Sequence, residues 1–249
     1  MTDPQNMSKF KQTSTNNRIQ NNNAKFKKLE RHFSDKVVRL LDYEDLVKIQ
    51  KRNLTIVFWD IENSSAMVDM LMSADIAFTE LVQEWYRTIS DVIFEFDGSV
   101  DKFMGDGTMA IFGIPSKDAE GIQDATNAVA AALKARESFE AVKNKWNDKW
   151  IKEISRILNI KLRCGINTGK VLYGNFGTPR NDQLTAAGSE VNVASRLQSL
   201  VLNVETCPNR ILISRTTETR IRDRFEVVER GSANLNKILG NFPIYEVIK

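Results

Sequence analysis

Hydrophobic residues follow two different patterns along this chain, and the pattern changes near residue 53. Residues 25–50 carry apolar side chains at three-to-four spacing, which predicts an amphipathic helix. These side chains are Phe26, Leu29, Phe33, Val37, Leu40 and Leu41. From Leu54 to Asp60 a short apolar run rich in β-branched and aromatic residues predicts a buried strand. The helical segment would pack on a partner helix or on the following domain; alternatively, it is a simple surface helix.

The later segments predict alternating strands and helices. One long helical stripe covers about residues 65–95, and a second covers 119–150. Between them, strands at 99–104 and 108–112 form a predicted hairpin around Gly105-Asp106-Gly107. Further predicted elements are strands at 160–167 and 170–175 joined at Thr168-Gly169, a helix at 189–202, and strands at 211–214, 225–228 and 244–247. This order indicates an α+β fold with a ferredoxin-like βαββαβ core and a C-terminal β extension.

The composition is that of an ordinary globular protein and argues against a membrane or secreted protein. Hydrophobic residues make up 42% and charged residues 27% of the 249 positions, as in typical folded domains. No stretch approaches the roughly 18 apolar residues of a membrane span, and the N-terminus lacks the apolar region of a secretory signal. We therefore expect a cytoplasmic protein without a membrane segment. Cys164 and Cys207 are expected to be reduced thiols, although a disulfide between them is an open alternative.

Charge is distributed unevenly along the sequence. Residues 1–52 carry 12 Lys and Arg against 6 Asp and Glu, whereas the other residues carry 23 against 26. The net charge of +3 therefore hides a basic N-terminal region. Such a tail can contact nucleic acid or anionic lipid. However, residues 1–24 are rich in Asn and Gln and have almost no aromatic side chains to stack on bases. We expect a disordered, solvated leader and no nucleic-acid partner.

Two aspartates are candidate metal ligands. Asp60 closes the first apolar strand, and Asp106 lies in the turn of the predicted hairpin, so the two side chains could converge. Mg²⁺ prefers oxygen ligands and keeps waters and substrate phosphates in its shell. Two such ions about 3.5–4 Å apart can activate an attacking oxygen and stabilise a leaving one. Taken alone, either aspartate would more often be a turn residue or a helix cap.

A helical Asn-Arg pair follows the two aspartates. Asn192 and Arg196 lie in Val191-Asn-Val-Ala-Ser-Arg196, four residues apart and hence on one helical face. The set and its order resemble the class III nucleotidyl cyclases, which convert ATP or GTP to a cyclic monophosphate. The resemblance covers about residues 50–249. It implies a catalytic domain at 53–249, preceded by a helical linker at 25–52 and the leader at 1–24.

The resemblance implies a role for each member of this set. Asp60 and Asp106, with the backbone carbonyl of Ile61, would hold two Mg²⁺ or Mn²⁺ ions. Asn192 would orient the ribose. Arg196 would stabilise charge on the α-phosphate in the transition state, a task that suits a fork of fixed donors.

Two more cations match phosphate-binding positions of the family. Arg180 stands five residues before Thr185, and Lys237 stands eight before Tyr245. The resemblance also implies a two-fold symmetric homodimer with two sites at its interface. Each site would take Asp60 and Asp106 from one chain, and Lys102, Thr185, Asn192 and Arg196 from the other. The linker, with Val37, Leu40 and Leu41, could help hold this pair of chains together.

Lys102 and Thr185 match the base-selecting positions of the family. A Lys only donates hydrogen bonds, whereas a Thr hydroxyl can accept one. Adenine presents an acceptor at N1 and a donor at its amino group, and guanine reverses both. The pair resembles the Thr-type adenylyl subclass, in which Thr replaces the commoner Asp, so ATP is the expected substrate. The alternatives are a guanylyl or dual-specificity cyclase, or a catalytically silent nucleotide-binding module that dimerises.

The sequence departs from the family pattern after the first metal-binding position. Glu62-Asn63-Ser64-Ser65 stands where x-Gly-Phe-Thr is common. Asn63 tolerates the left-handed conformation that Gly would adopt, so we expect the turn to be kept. His32 is the only histidine and lies in the linker, so no histidine would serve as a base near the metals. A Walker-type phosphate loop is also absent from the sequence.

Overall fold

A mixed β-sheet organises the part of the chain that the computed structural model describes. That part comprises residues 27, 29–30, 32–73, 78–116, 118–157, 159–178, 180–204, 206–236 and 240–249. The predicted leader at 1–24 and the candidate Lys237 lie outside these residues. Within them, no helix has both the length and the apolar character required to cross a lipid bilayer.

The sheet has eight strands and confirms the predicted ferredoxin-like core. The strands are β1 Gln50–Glu62, β2 Ser99–Met104, β3 Gly107–Phe112, β4 Lys161–Asn175, β5 Leu184–Ala187, β6 Ile211–Ser214, β7 Val227–Asn236 and β8 Gly240–Val247. Their spatial order is β2-β3-β1-β4-β6-β8-β7, and β5 pairs with β4 outside this path. The first four strands pair antiparallel, whereas β4 and β6 run parallel. The order β2-β3-β1-β4 is the split arrangement that a βαββαβ chain produces.

Seven helices accompany the strands in the described residues. They are α1 Asp35–Val38, α2 Tyr43–Val47, α3 Ser64–Ser73, α4 Phe78–Glu95, α5 Ile122–Ile154, α6 Ser189–Ser199 and α7 Arg215–Ile221. The predicted helix over 65–95 is therefore described as two helices, α3 and α4. The 33-residue α5 and the shorter α4 bury their apolar stripes on one face of the sheet.

Successive side chains of β1 point to opposite faces of the sheet and are buried in two separate hydrophobic cores. Val57, Trp59 and Ile61 pack with α4 and α5 on one face. Leu54, Ile56 and Phe58 point to the opposite face, where they meet residues of α6 and of the N-terminal segment. A strand that is buried on both faces reads as a continuous apolar run, as observed here.

The predicted linker helix at 25–52 differs from the structure. Over the described residues 32–49 the segment forms two short helices, α1 and α2, and β1 already begins at Gln50. The chain is interrupted before α2, where Asp42 accepts hydrogen bonds from the backbone N–H groups of Glu44 and Asp45 as an N-cap. A local cap of this kind competes with continuation of the preceding helix.

The linker packs on the sheet of its own chain, which was one of the predicted alternatives. Phe33 and Val37 are buried in the second core, and Phe33 also forms a β-bridge with Ser99 at the edge of β2. Leu41 is partly buried against the same core, whereas Leu40 is 62% exposed. The proposed use of this stripe between two chains is therefore limited, because Val37 and Leu41 already have partners.

Other predicted boundaries also changed. Residues 160–167 and 170–175, predicted as two strands, form the single strand β4, because Thr168-Gly169 continues in pairing with β1. The short elements β5 and α7 were not predicted. Helix α7 begins at Arg215 and is capped by Ser214, whose hydroxyl accepts from the backbone N–H of Thr217. Cys164 and Cys207 are both free thiols, as expected.

The packing of α6 on β4 depends on the missing side chain of Gly165. A Cβ atom added there would lie well inside van der Waals contact with the α6 backbone at Ala194 and Gln198. We predict that Gly165→Ala lowers the free energy of unfolding by about 3 kcal/mol, because the helix must move away from the sheet. Urea denaturation followed by circular dichroism measures the change.

Gly105→Asn is the matched control for this prediction. Gly105 has φ +64° with open space around its Cα, and Asn adopts that conformation readily. Its free energy of unfolding should change by less than about 1 kcal/mol. Equal stability of Gly165→Ala and the parent would contradict the close approach of α6.

Candidate active site

Asp60 is placed by the register of β1 and β4. The two strands pair Asp60 directly with Arg163, so both side chains point to the face that α6 covers. Arg163 Nη2 lies 2.5 Å from Asp60 Oδ2 and forms an ion pair with it. Gln198 of α6 donates its Nε2 to the same oxygen at 3.0 Å. The carboxylate is therefore held by a cation and an amide at the end of the strand.

Asp106 is brought to the same place by the turn between β2 and β3. Gly105 adopts φ +64° in this turn, and its carbonyl accepts a hydrogen bond from the Tyr86 hydroxyl of α4. The Asp106 carboxylate accepts from the backbone N–H of Ile61 at 3.0 Å. Burial and the nearby charge of Asp60 raise the pKa of Asp106, and the hydrogen bond from Ile61 opposes them. The two predicted metal ligands are thus neighbours with like charge.

The departure from the family pattern after Ile61 preserves the turn. Asn63 adopts φ 68°, the left-handed conformation expected from the sequence, and α3 begins at Ser64. The Ser64 hydroxyl hydrogen-bonds Asp106 and favours its charged form. A cleft of about 360 Å³ opens beside Asp106, bounded by the start of α3 and the start of α4. It offers room for a ligand next to the Asp106 carboxylate.

Lys102 and Thr185, the predicted base-selecting residues, meet in a second location. Lys102 lies on β2 and Thr185 on β5, 83 residues later. Lys102 Nζ donates to Thr185 Oγ1 at 3.3 Å. Thr185 is 6% exposed, whereas the Lys102 side chain is 36% exposed, so the pair is anchored in the protein and open on the lysine side.

The predicted catalytic pair on α6 points elsewhere. Arg196 donates its Nη1 to the carbonyl oxygen of Leu235 on β7 at 2.6 Å. Asn192, one turn earlier, is exposed. Residues two apart on a helix do not share a face, so Arg196 and Gln198 point in nearly opposite directions. Since Gln198 reaches Asp60, Arg196 is directed away from the Asp60 of its own chain.

One further predicted residue, Arg180, and two residues that were not predicted, Arg163 and Gln198, are also located by the structure. Arg180 is exposed in the loop between β4 and β5. Arg163 and Gln198 contact Asp60 but were not predicted. The signal for Arg163 was a charged residue within the predicted strand 160–167, whereas its position opposite Asp60 follows only from the register of β1 and β4.

Comparison with known proteins identifies the family of this chain. Residues 46–246 match the family model of the adenylate and guanylate cyclase catalytic domain. The chain therefore belongs to this family, the class III nucleotidyl cyclases, and contains its catalytic domain.

The relatives include cyclases of both specificities. The terminal-differentiation-specific adenylate cyclase of Dictyostelium discoideum is 30% identical over 202 residues, which are 79% of this chain and 9% of that protein. The chain thus spans about a tenth of the length of this relative. The crystal structure of the adenylyl cyclase CyaB from P. aeruginosa superposes with a TM-score of 0.70 at 30% identity, covering 81% of this chain and 96% of that one. The guanylyl cyclase Cya2 superposes with a TM-score of 0.63 at 25% identity, covering 80% and 93%.

The repulsion between the two aspartates generates a stability prediction. The pKa of Asp106 in the folded state lies above its ordinary value of 3.8, so ionisation of this group opposes folding. In metal-free protein, this part of the stability is present below pH 3.8 and is lost as the pH rises through the folded-state pKa. We predict that Asp106→Asn is as stable as the parent or more stable at pH 7 in chelator, measured by thermal unfolding.

Asp118→Asn is the control with the opposite sign. Burial opposes the charge of Asp118, but hydrogen bonds from the backbone N–H groups of Gln123 and Ile122 outweigh it and hold its pKa below the ordinary value. Its loss should cost about 1 kcal/mol at pH 7, because Asp118 caps the start of α5. A marked destabilisation by Asp106→Asn would show that this carboxylate supports the fold.

Proposed function

We propose that this chain is an adenylate cyclase, which converts ATP to 3′,5′-cyclic AMP and pyrophosphate. The observation that carries the choice of ATP is the contact between Lys102 Nζ and Thr185 Oγ1 at 3.3 Å. This contact places the Lys102 ammonium, which can only donate hydrogen bonds, beside the Thr185 hydroxyl, which can accept them. Adenine N1 accepts from such a lysine, and the adenine amino group donates to such a hydroxyl. Guanine would oppose donor to donor and acceptor to acceptor, which a buried polar site rejects strongly.

Asp60, Asp106 and the backbone carbonyl of Ile61 would hold two Mg²⁺ or Mn²⁺ ions. Two observations support this assignment: the carboxylates come from different elements to one point, and burial together with the charge of Asp60 raises the pKa of Asp106. Bound cations would relieve this repulsion and supply charge neutralisation at the reacting phosphate. The 3′-oxygen of the ribose would attack the α-phosphorus in line, and pyrophosphate would leave.

Arg163 is positioned to assist at the same point. Arg163 and Gln198 both contact Asp60 Oδ2, so the other carboxylate oxygen of Asp60 would act as the metal ligand while the ion pair with Arg163 is kept. The guanidinium, with its fixed fork of donors, would then lie beside the phosphates of the substrate. The ion pair with Asp60 thus keeps the Arg163 guanidinium oriented toward the site.

A complete site requires two chains. Arg196 and Asn192 face away from the Asp60 that Gln198 contacts, so they would serve the site of a second copy. Exposed apolar side chains near the base-selecting pair fit such an interface: Phe103 and Met104 on β2, and Leu172 on β4. We infer a homodimer with two shared sites, in which Lys102, Thr185, Asn192 and Arg196 of one chain meet the aspartates of the other. Arg180 and Lys237 keep their predicted phosphate-binding roles as proposals.

Product analysis tests the activity directly. The protein is incubated with Mn²⁺ and either ATP or GTP, and cyclic nucleotides are separated by chromatography. We expect cyclic AMP from ATP, little cyclic GTP from GTP, and no product from Asp106→Asn or in excess chelator. Preferential turnover of GTP would favour a guanylyl cyclase, and absence of both products would favour a silent nucleotide-binding module. Full activity of Asp106→Asn would contradict the metal assignment.

Mixing two inactive variants tests the shared sites. Asp60→Ala and Arg196→Ala should each be nearly inactive as homodimers, because every site contains one lesion. In a mixed dimer one site collects both lesions and the other collects none. With free exchange, half of the dimers are mixed, so activity should recover to about a quarter of the parent's at equal total chain. Size-exclusion chromatography and a subunit-exchange assay serve as controls. An inactive mixture despite verified exchange would rule out sites built from both chains.

A further inference from the structure

A β-bulge places an acidic side chain beneath the base-selecting pair. Val100 pairs with Ala110 and Lys102 pairs with Met109, so Asp101 is an extra residue in β2. In a regular strand Asp101 and Lys102 would point to opposite faces, and the bulge removes that alternation. Lys102 Nζ consequently lies 3.1 Å from Asp101 Oδ1, and the Asp101 side chain is only 1% exposed.

This carboxylate is buried without full compensation. The ammonium of Lys102 is its ion-pair partner, and the Thr185 hydroxyl and the Ala186 backbone lie near enough to favour its charged form. Nevertheless, within the described residues neither carboxylate oxygen has a hydrogen bond of good geometry. Burial accordingly raises the pKa of Asp101, and the charge of Asp101 adds to burial in raising the pKa of Tyr173. A buried, incompletely paired carboxylate costs stability, so its position calls for a functional reason.

We propose that Asp101 is a positioning residue that sets the donor and acceptor roles of Lys102 and Thr185 and thereby the preference for adenine. This inference rests on the proposed function, because it concerns the base pocket of that same site. Asp101 would not touch the base, since its side chain is covered. It would act through the two residues above it.

The numbers of hydrogen-bond donors and acceptors on Lys102, Thr185 and Asp101 explain how Asp101 would set this preference. The ammonium of Lys102 has three N–H donors: one donates to Thr185 Oγ1, and the ion pair with Asp101 directs a second toward that carboxylate. The third remains for an acceptor such as adenine N1. An ionised carboxylate only accepts, so the Thr185 hydroxyl can turn its proton toward Asp101 and present a lone pair to the base. That lone pair suits the amino group of adenine and disfavours the carbonyl oxygen of guanine.

Asp101→Asn removes this constraint while preserving the shape of the side chain. The new amide can donate to Thr185 Oγ1, which frees the hydroxyl proton to serve a guanine carbonyl. It also lowers the negative charge that holds Lys102 in place. We expect discrimination between adenine and guanine nucleotides to fall about tenfold, mainly through weaker binding of the adenine nucleotide. Asp91→Asn, the same change at an exposed carboxylate on α4, should keep the parent's discrimination.

The measurement uses binding as well as turnover. Calorimetry with 3′-deoxy-ATP and 3′-deoxy-GTP, which lack the attacking hydroxyl, gives the ratio of the two Kd values in parent, Asp101→Asn and Asp91→Asn. In parallel, KM and kcat are determined for ATP and GTP wherever product forms. A reduced Kd ratio in Asp101→Asn, with kcat for ATP changed less than KM, is the expected result.

Other outcomes separate this inference from the proposed function. An unchanged Kd ratio, or an equal loss of affinity for both nucleotides, would overturn the positioning role and reduce Asp101 to a structural residue. Binding of 3′-deoxy-ATP without turnover of ATP would refute the cyclase activity and leave the Kd ratio as the test of Asp101. Binding of neither nucleotide by the parent would overturn both. If Asp101→Asn does not fold, Asp101→Ser removes the same charge and undergoes the same comparison.

Discussion

The register of β1 between β3 and β4 is the constraint on which the candidate site depends. This strand is hydrogen-bonded on both sides, and the pairing sets Asp60 opposite Arg163 on the face covered by α6. The same register brings the β2–β3 turn, with Asp106, to the backbone N–H of Ile61. A slip of one residue would turn Asp60 into the core beneath α4 and α5 and expose Trp59 and Ile61 to the other side. The buried alternation of β1 prevents that slip.

Close approach of α6 to the sheet is the second requirement. Gly165 lets the helix backbone lie directly on β4, and this brings Gln198 within hydrogen-bonding distance of Asp60. Helical geometry then directs Arg196 to the other side, where it contacts Leu235. The close packing of α6 on β4 therefore explains why Gln198 contacts the Asp60 of its own chain, whereas Arg196 is inferred to serve the site of a second chain.

The aspartate pair and the Lys102–Thr185 pair differ in their electrostatics. Near Asp60 and Asp106, two carboxylates are held close together, and Arg163 balances only one of them. At the predicted base-selecting pair, the Lys102 ammonium is held by a buried carboxylate and a hydroxyl. The first arrangement leaves negative charge for cations to neutralise, whereas the second leaves one directed N–H for a ligand. Both are costly in a folded protein and are typical of functional sites.

The sequence by itself determined the order of the core elements and the residues worth watching. Periodicity and turn residues were sufficient for the βαββαβ core, because each strand and helix has its own apolar pattern and the hairpin has Gly-Asp-Gly. Asn63 was expected in the left-handed conformation, and it adopts φ 68°. The motif order also singled out Asp60 and Asp106, and Lys102 and Thr185, which the structure brings together in pairs. Their chemical roles remain predictions.

Only the tertiary structure decided the partners of these residues. Arg163 and Gln198 are more than 100 residues from Asp60 in sequence, so no local pattern relates them to it. The position of Asp101 depends on a bulge, which is defined by pairing between strands rather than by the sequence of one strand. The linker follows the same rule. Its apolar spacing predicted one helix, but a local cap at Asp42 and burial of Phe33 and Val37 against the sheet divided it. The periodicity of apolar residues indicates which side chains are buried. The surface against which they pack is determined only by the tertiary structure.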